Sequence, residues 1–70
     1  MTRVSRQELG KRLQRAREIA GLSMEQSAAK IGVGSDELQA WEAGTQEPLF
    51  EDAFRAAEAY GVTIDTLGAA

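Results

Sequence analysis

Residues 21–44, GLSMEQSAAKIGVGSDELQAWEAG, decide the fold. Ser23 is a good helix N-cap, and Gln26 three residues later completes a capping-box pattern, so a helix is predicted over about residues 24–31. Gly32 falls where that helix must stop, and a second helix restarts almost at once, over about residues 35–43. Apolar spacing turns Ala28 and Ile31 of the one, and Leu38 and Trp41 of the other, toward a common interior. Two short helices joined by a tight glycine-bearing turn make a helix-turn-helix unit, predicted over residues 23–43. A lone tryptophan is either core or an exposed contact hot spot. Its three-residue spacing from Leu38 favours the core.

Outward from this unit the pattern stays helical. A helix over about residues 6–20 places Leu9, Leu13, Ala16 and Ala20 on one face, and Gly21 ends it. A fourth, over about residues 49–60, carries Phe50, Ala53, Phe54, Ala57 and Tyr60 as its apolar stripe, with Pro48 suited to its start and Gly61 to its end. A short fifth helix near residues 64–67 is capped by Thr63. There is no strand pattern, repeat, low-complexity tract or internal linker. The expected fold is all-α, a compact five-helix domain over residues 1–70, with residues 1–5 as an N-terminal arm. Phe50, Val62, Ile64 and Leu67 cannot all be buried beneath so small a domain unless the last helix folds tightly back, so some of them are expected to form a two-fold contact in a homodimer.

Composition narrows the function classes. Seventy residues build one thin core, near the size below which chains need disulfides or metal. The chain has no cysteine and no histidine, which removes disulfides and thiolate or imidazole metal sites and fits a reducing, cytoplasmic setting. No metal or other cofactor is expected. No apolar run approaches the roughly 20 residues of a membrane span, and no signal-peptide core is present, so a soluble protein without a membrane partner is expected. Catalysis is not expected either. The remaining nucleophiles and bases form no recognisable arrangement, and the paired acids Asp36-Glu37 and Glu51-Asp52 are neighbours on helices, which point apart and read as surface acids. Gly32 and Gly34 lack the further glycine and the lysine of a nucleotide-binding loop.

Charge is unevenly spread. Residues 1–20 carry six cations, Arg3, Arg6, Lys11, Arg12, Arg15 and Arg17, against Glu8 and Glu18, for +4. The remaining residues carry Lys30 and Arg55 against nine acids, for −7 and a total of −3. A nucleic-acid binder needs cations near phosphates. Here the basic charge lies on the first helix, and the helix-turn-helix itself is acidic.

The chain resembles the Cro/cI-type, lambda-repressor-like (XRE) helix-turn-helix family along nearly its whole length. The pattern is carried by Leu9-Gly10, Leu13 and Arg17, by Gly21-Leu22-Ser23, Ala28 and Gly32-Val33, and by Leu38, Trp41-Glu42, Gly44 and Pro48. It ends on Tyr60-Gly61-Val62, Ile64-Asp65 and Leu67. Singly these matches are weak; together, in order and spacing, they are specific. The resemblance implies a lambda-repressor-like DNA-binding domain whose second and third helices form the helix-turn-helix, the third entering the major groove. It also implies that Arg17 and Glu42 form a partly buried ion pair pinning the first helix to the third, the alternative being that both are merely solvated. The family usually has a leucine at position 27. Ser27 must therefore find a partner, either a backbone carbonyl or a site in which Trp41 and Met24 fill the space differently.

With Leu38 and Trp41 inward, the outer face of the third helix presents Ser35, Asp36, Gln39, Ala40 and Ala43. By the resemblance, Ser35, Asp36, Gln39 and Ala40 are the base-reading candidates. Gln39 suits adenine, Ser35 suits either base type, Asp36 suits a cytosine amino group but opposes phosphates, and Ala40 suits only a thymine methyl. The phosphate candidates are Ser23, Met24, Ala43, Thr45 and Gln46. They are thinner than the family pattern, which usually has a glutamine where Met24 stands and a basic loop where Thr45-Gln46-Glu47 stands. Free N–H groups at the start of the second helix could hold an anion without a side chain, and Arg3, Arg6 and Lys11 could assist from beside the duplex or form a solvated face. Two functions follow. One is a sequence-specific DNA-binding domain of a bacterial or phage transcriptional regulator, a repressor whose homodimer reads an operator in double-stranded DNA. The other is the same fold used as a protein-interaction or accessory regulatory module, supported by the acidic third helix.

Overall fold

Helix ends in this chain are set by local chemistry. The computed structural model describes residues 4–69, and among them the chain forms five helices: α1 (Arg6–Ile19), α2 (Met24–Ile31), α3 (Ser35–Ala43), α4 (Phe50–Tyr60) and α5 (Ile64–Leu67). Ser5, Ser23 and Thr63 each accept the N–H three residues on, from Glu8, Gln26 and Thr66. Gln26 also returns its side-chain oxygen to the Ser23 N–H at 2.9 Å, closing the capping box and satisfying two otherwise orphaned donors. At the other end of α2, Gly32 takes the left-handed conformation (φ 89°), in which its own N–H and that of Val33 both reach the Ala28 carbonyl. That closure lets α3 begin three residues after Gly32.

The core is one layer thick. Leu9, Leu13 and Ala16 of α1 meet Ala28 and Ile31 of α2, Leu38 and Trp41 of α3, the alanine face and Tyr60 of α4, and Leu67 of α5. Trp41 is fully buried, as its spacing predicts, although its indole N–H has no acceptor among the described residues. The principal contact is α1 against α3, made possible at Gly10, whose Cα lies directly against the backbone of Trp41 and Glu42.

Several sequence expectations are corrected. Ala20 is the exposed C-cap residue of α1 and does not belong to its inner face. On α4 the buried side is Ala53, Ala56, Ala57 and Tyr60, whereas Phe50 and Phe54 are 57% and 48% exposed. The small alanines let α4 lie close to α1 and α2, a spacing that phenylalanines would prevent. Of the four residues proposed for self-association, Leu67 is fully buried, and Val62 and Ile64 pack against the core. Phe50 alone remains outward, beside Leu49 and Phe54. Asp52 is not a surface acid. It is nearly buried and paired with Arg55 one turn on. Within the expected N-terminal arm, the Val4 N–H donates to the Gly68 carbonyl at 3.0 Å and Ser5 caps α1; residues 1–3 lie outside the described residues.

Ser27 is fully buried, and its partner is not the expected backbone carbonyl. Its hydroxyl shares a hydrogen bond with the Tyr60 hydroxyl of α4, 33 residues away. A leucine-sized side chain is thus replaced by a small one, with the tyrosine reaching across α2 to complete it. Either Ser27→Ala or Tyr60→Phe should cost about 1–3 kcal/mol by stranding the other hydroxyl, and the double variant should cost less than the two together. Burial raises the Tyr60 phenol above its ordinary value near 10.0, with the Ser27 bond opposing. The folded state therefore holds this proton more tightly than the unfolded one. The stability that Tyr60 contributes should be level below about pH 10 and fall as pH rises beyond it, and Tyr60→Phe should remove that part of any alkaline decline in a pH series of thermal melts.

Candidate nucleic-acid interface

A reading helix must be held rigidly while one face stays bare. In α3, Leu38 and Trp41 anchor the inner face, and the C-terminus is fastened by Glu42. Arg17 Nε meets Glu42 Oε2 at 2.7 Å and Arg17 Nη2 meets Oε1 at 3.0 Å, a bidentate fork that leaves the two side chains only 14% and 6% exposed. The third guanidinium contact, Nη1 to the Leu22 carbonyl at 3.1 Å, was invisible in the sequence because its acceptor is backbone. Arg17 thereby ties together α1, the turn before α2 and the end of α3. The hydrogen bond to Glu42 raises the Arg17 pKa above its ordinary value, against the cost of burial.

The outer face of α3 holds all four base-reading candidates on one exposed strip. Asp36 and Gln39 are exposed, as is Ala43 beyond them, and Ser35 and Ala40 are half-buried. The N-cap of α3 is Gly34, which offers no side-chain bond, so the N–H groups of Ser35, Asp36 and Glu37 point forward uncapped, while Leu38 N–H returns to the Gly34 carbonyl. Asp36 and the half-buried Glu37 supply negative charge at this end, which favours the helix dipole. The acidity of α3 therefore has a stabilising role that competes with the approach of phosphates.

The phosphate candidates fare unequally. Ser23 is exposed; its hydroxyl oxygen accepts the Gln26 N–H and its own N–H donates to the Gln26 side chain, so the hydroxyl proton is what it has left for a phosphate. Met24 turns its side chain toward the core, and what it offers outward is its backbone N–H, which with that of Glu25 has no acceptor within α2. Ala43 is exposed and offers only a methyl group. The Thr45 hydroxyl and the Thr45 and Gln46 N–H groups all turn back to the Ala40 carbonyl, leaving the Gln46 amide as the outward donor of that loop. Lys11 belongs to a different surface, where it borders an open concavity with Gln14, Arg15, Glu18 and Ile19 on the outer side of α1. Arg6 is exposed at the first turn of α1, and Arg3 lies outside the described residues.

A profile of the family described as helix-turn-helix matches residues 13–67. Among solved structures, the chain is similar to the restriction-modification controller protein C.AhdI from Aeromonas hydrophila, at 24% identity over 89% of this chain and 94% of that one, with a TM-score of 0.85. It is similar to the clp gene regulator ClgR from Corynebacterium glutamicum, at 22% identity over 96% of this chain and 71% of that one, with a TM-score of 0.87. A chain of the SinR protein/SinI protein complex shares 27% identity over 84% of this chain and 58% of that one, with a TM-score of 0.80. The first two likenesses bear on the fold alone. Comparison with curated proteins finds no match.

Proposed function

This chain belongs to the helix-turn-helix family of Cro/cI type, and from that membership we propose that it is the sequence-specific DNA-binding domain of a cytoplasmic transcriptional regulator, a repressor whose α3 enters the major groove. The observation that carries the reading is Gln39, an exposed amide on the outer face of a helix whose inner face and end are locked by Leu38, Trp41 and the Arg17–Glu42 fork. Such a side chain can make a bidentate contact with adenine at little cost in lost motion. The free N–H groups of Met24 and Glu25, with the Gln46 amide, hold the flanking phosphates. Residues 1–70 act as one unit, with residues 23–43 as the reading element and no catalytic chemistry.

Selection of preferred sites from randomised duplex provides the test. Gln39→Ala should weaken the selected site by about 1–3 kcal/mol and relax discrimination at one base position. Asp36→Asn should raise affinity for non-specific duplex, because it removes a carboxylate that opposes phosphate neutralisation. If neither substitution alters binding to any duplex, α3 is an acidic docking face and the reading fails.

Two copies are proposed to read two half-sites, joined across the apolar patch of Leu49, Phe50 and Phe54 at the start of α4. Isolated exposed apolar residues are ordinary, but three on adjoining positions form a patch suited to burial. Sedimentation at micromolar concentration should show a dimer that Phe54→Glu converts to monomer. A wild-type monomer that stays monomeric on duplex would remove this arrangement.

A further inference from the structure

On the flank of α1 turned away from α3 lies a second surface that DNA reading does not use. Arg12 and Gly10 are two positions apart on α1, about 200° around the helix. Gly10 abuts the backbone of α3, whereas the Arg12 guanidinium reaches the Thr66 carbonyl of α5 at 3.4 Å. Between α1 and the corner where α4 ends and α5 begins there is a groove of about 260 Å³, lined by Arg12, Arg15, Ala16, Ile19, Tyr60 and Val62. Its floor is apolar. Ile19 at its edge is 79% exposed, the most exposed of the large apolar side chains among the described residues.

The charge around this groove is one-sided. Arg15 makes no ion pair among the described residues. Arg12 is shared with Glu8 at 3.2 Å, and Glu18 turns to Gln14 on the outer side. No carboxylate lines the groove itself. We propose that it is a docking site for an acidic segment of a partner protein, with one or two large apolar side chains seated between Ile19 and Val62 and carboxylates meeting Arg15 and Arg12. A phosphate backbone would satisfy the arginines and leave Ile19 and Val62 in water, so the pairing of apolar floor with cationic rim selects an amphipathic acidic peptide over nucleic acid. The groove and α3 lie on opposite flanks of α1, so a partner bound here leaves the reading face open. The inference stands independently of whether α3 reads DNA.

The test uses the full 70-residue chain and two synthetic helical peptides with the same leucine spacing, one with glutamates between the leucines and one with lysines. Titration calorimetry should show the glutamate peptide binding about tenfold or more tightly than the lysine peptide, and Ile19→Asp and Arg15→Glu should each weaken it about tenfold with helical circular dichroism unchanged. Amide shifts on binding should centre on the second half of α1, Val62 and α5. Equal binding of the two peptides, binding of neither, indifference to Ile19→Asp, or shifts centred on α3 would overturn the proposal. So would a loss of self-association in Ile19→Asp, which would make a second copy the occupant, or a loss of duplex affinity, which would make it DNA.

Discussion

Glu42→Ala is expected to destabilise the domain by up to about 3–5 kcal/mol, because it leaves the partly buried Arg17 guanidinium facing an empty site. Arginine cannot shed its charge to escape, and the one hydrogen bond its side chain keeps among the described residues is to the Leu22 carbonyl. Domains of this size are stable by about 0.05–0.15 kcal/mol per residue, so the loss would consume much of the total. Thermal melting should fall by well over 10 °C, at about 4–8 °C per kcal/mol for small domains. The double replacement of Arg17 by Met and Glu42 by Leu should recover most of the loss, since the ion pair itself contributes little net stability against apolar residues of similar volume. Melting curves for the two single variants and the double variant give the coupling directly. Strict additivity would mean the fork seen between Nε, Nη2 and the two Glu42 oxygens does not form in solution.

Gly10→Ala should be destabilising by about 3 kcal/mol, contrary to the sign that helix propensity gives. In an open helix interior, alanine in place of glycine gains about 1 kcal/mol. Here the added Cβ would stand 2.5 Å from the Trp41 carbonyl oxygen and 2.6 Å from that of Glu42, both backbone atoms that cannot swing aside. The cost is overpacking at the α1–α3 contact, typically about 1–3 kcal/mol and more where backbone must move. Because the contact lies beside the Arg17–Glu42 fork, the variant should also lose DNA affinity beyond what its unfolded fraction explains. Denaturant unfolding settles the sign. A stabilised Gly10→Ala would mean that α1 and α3 stand further apart than described.

These two residues also mark the limit of what the sequence carried. Helix bounds were legible because they depend on neighbours: Ser23 with Gln26, Gly32 after Ile31, and Thr63 with Thr66 each act within four residues. The Arg17–Glu42 pair was reachable only through family resemblance, since nothing local joins positions 25 apart. Ser27 showed that a buried hydroxyl needed a partner but could not name Tyr60. On α4 the difficulty was different. Ala53, Ala56, Ala57 and Ala59 distribute small apolar groups around much of the helix, so periodicity could not decide between a stripe with phenylalanines and one with alanines. Close packing against α1 and α2 decides it, placing Phe50 and Phe54 outside and drawing Asp52 toward the interior. For the reading face, spacing alone located Gln39 and Asp36. It could not show that Ser23 and Thr45 spend their polar groups on the backbone, because those bonds form only in the folded turns.

Despite its acidic third helix, the domain is proposed to engage DNA through backbone N–H groups, Gln46 and Gln39. Fluorescence anisotropy of labelled duplex with the full chain, taken at several salt concentrations, tests this proposal most directly. Binding should appear at low salt and weaken log-linearly as salt rises, with a slope of about −0.9 for each phosphate neutralised and a shallow total slope because few cations face the duplex. Absence of binding at the lowest salt, on site-selected and random duplex alike, would contradict it.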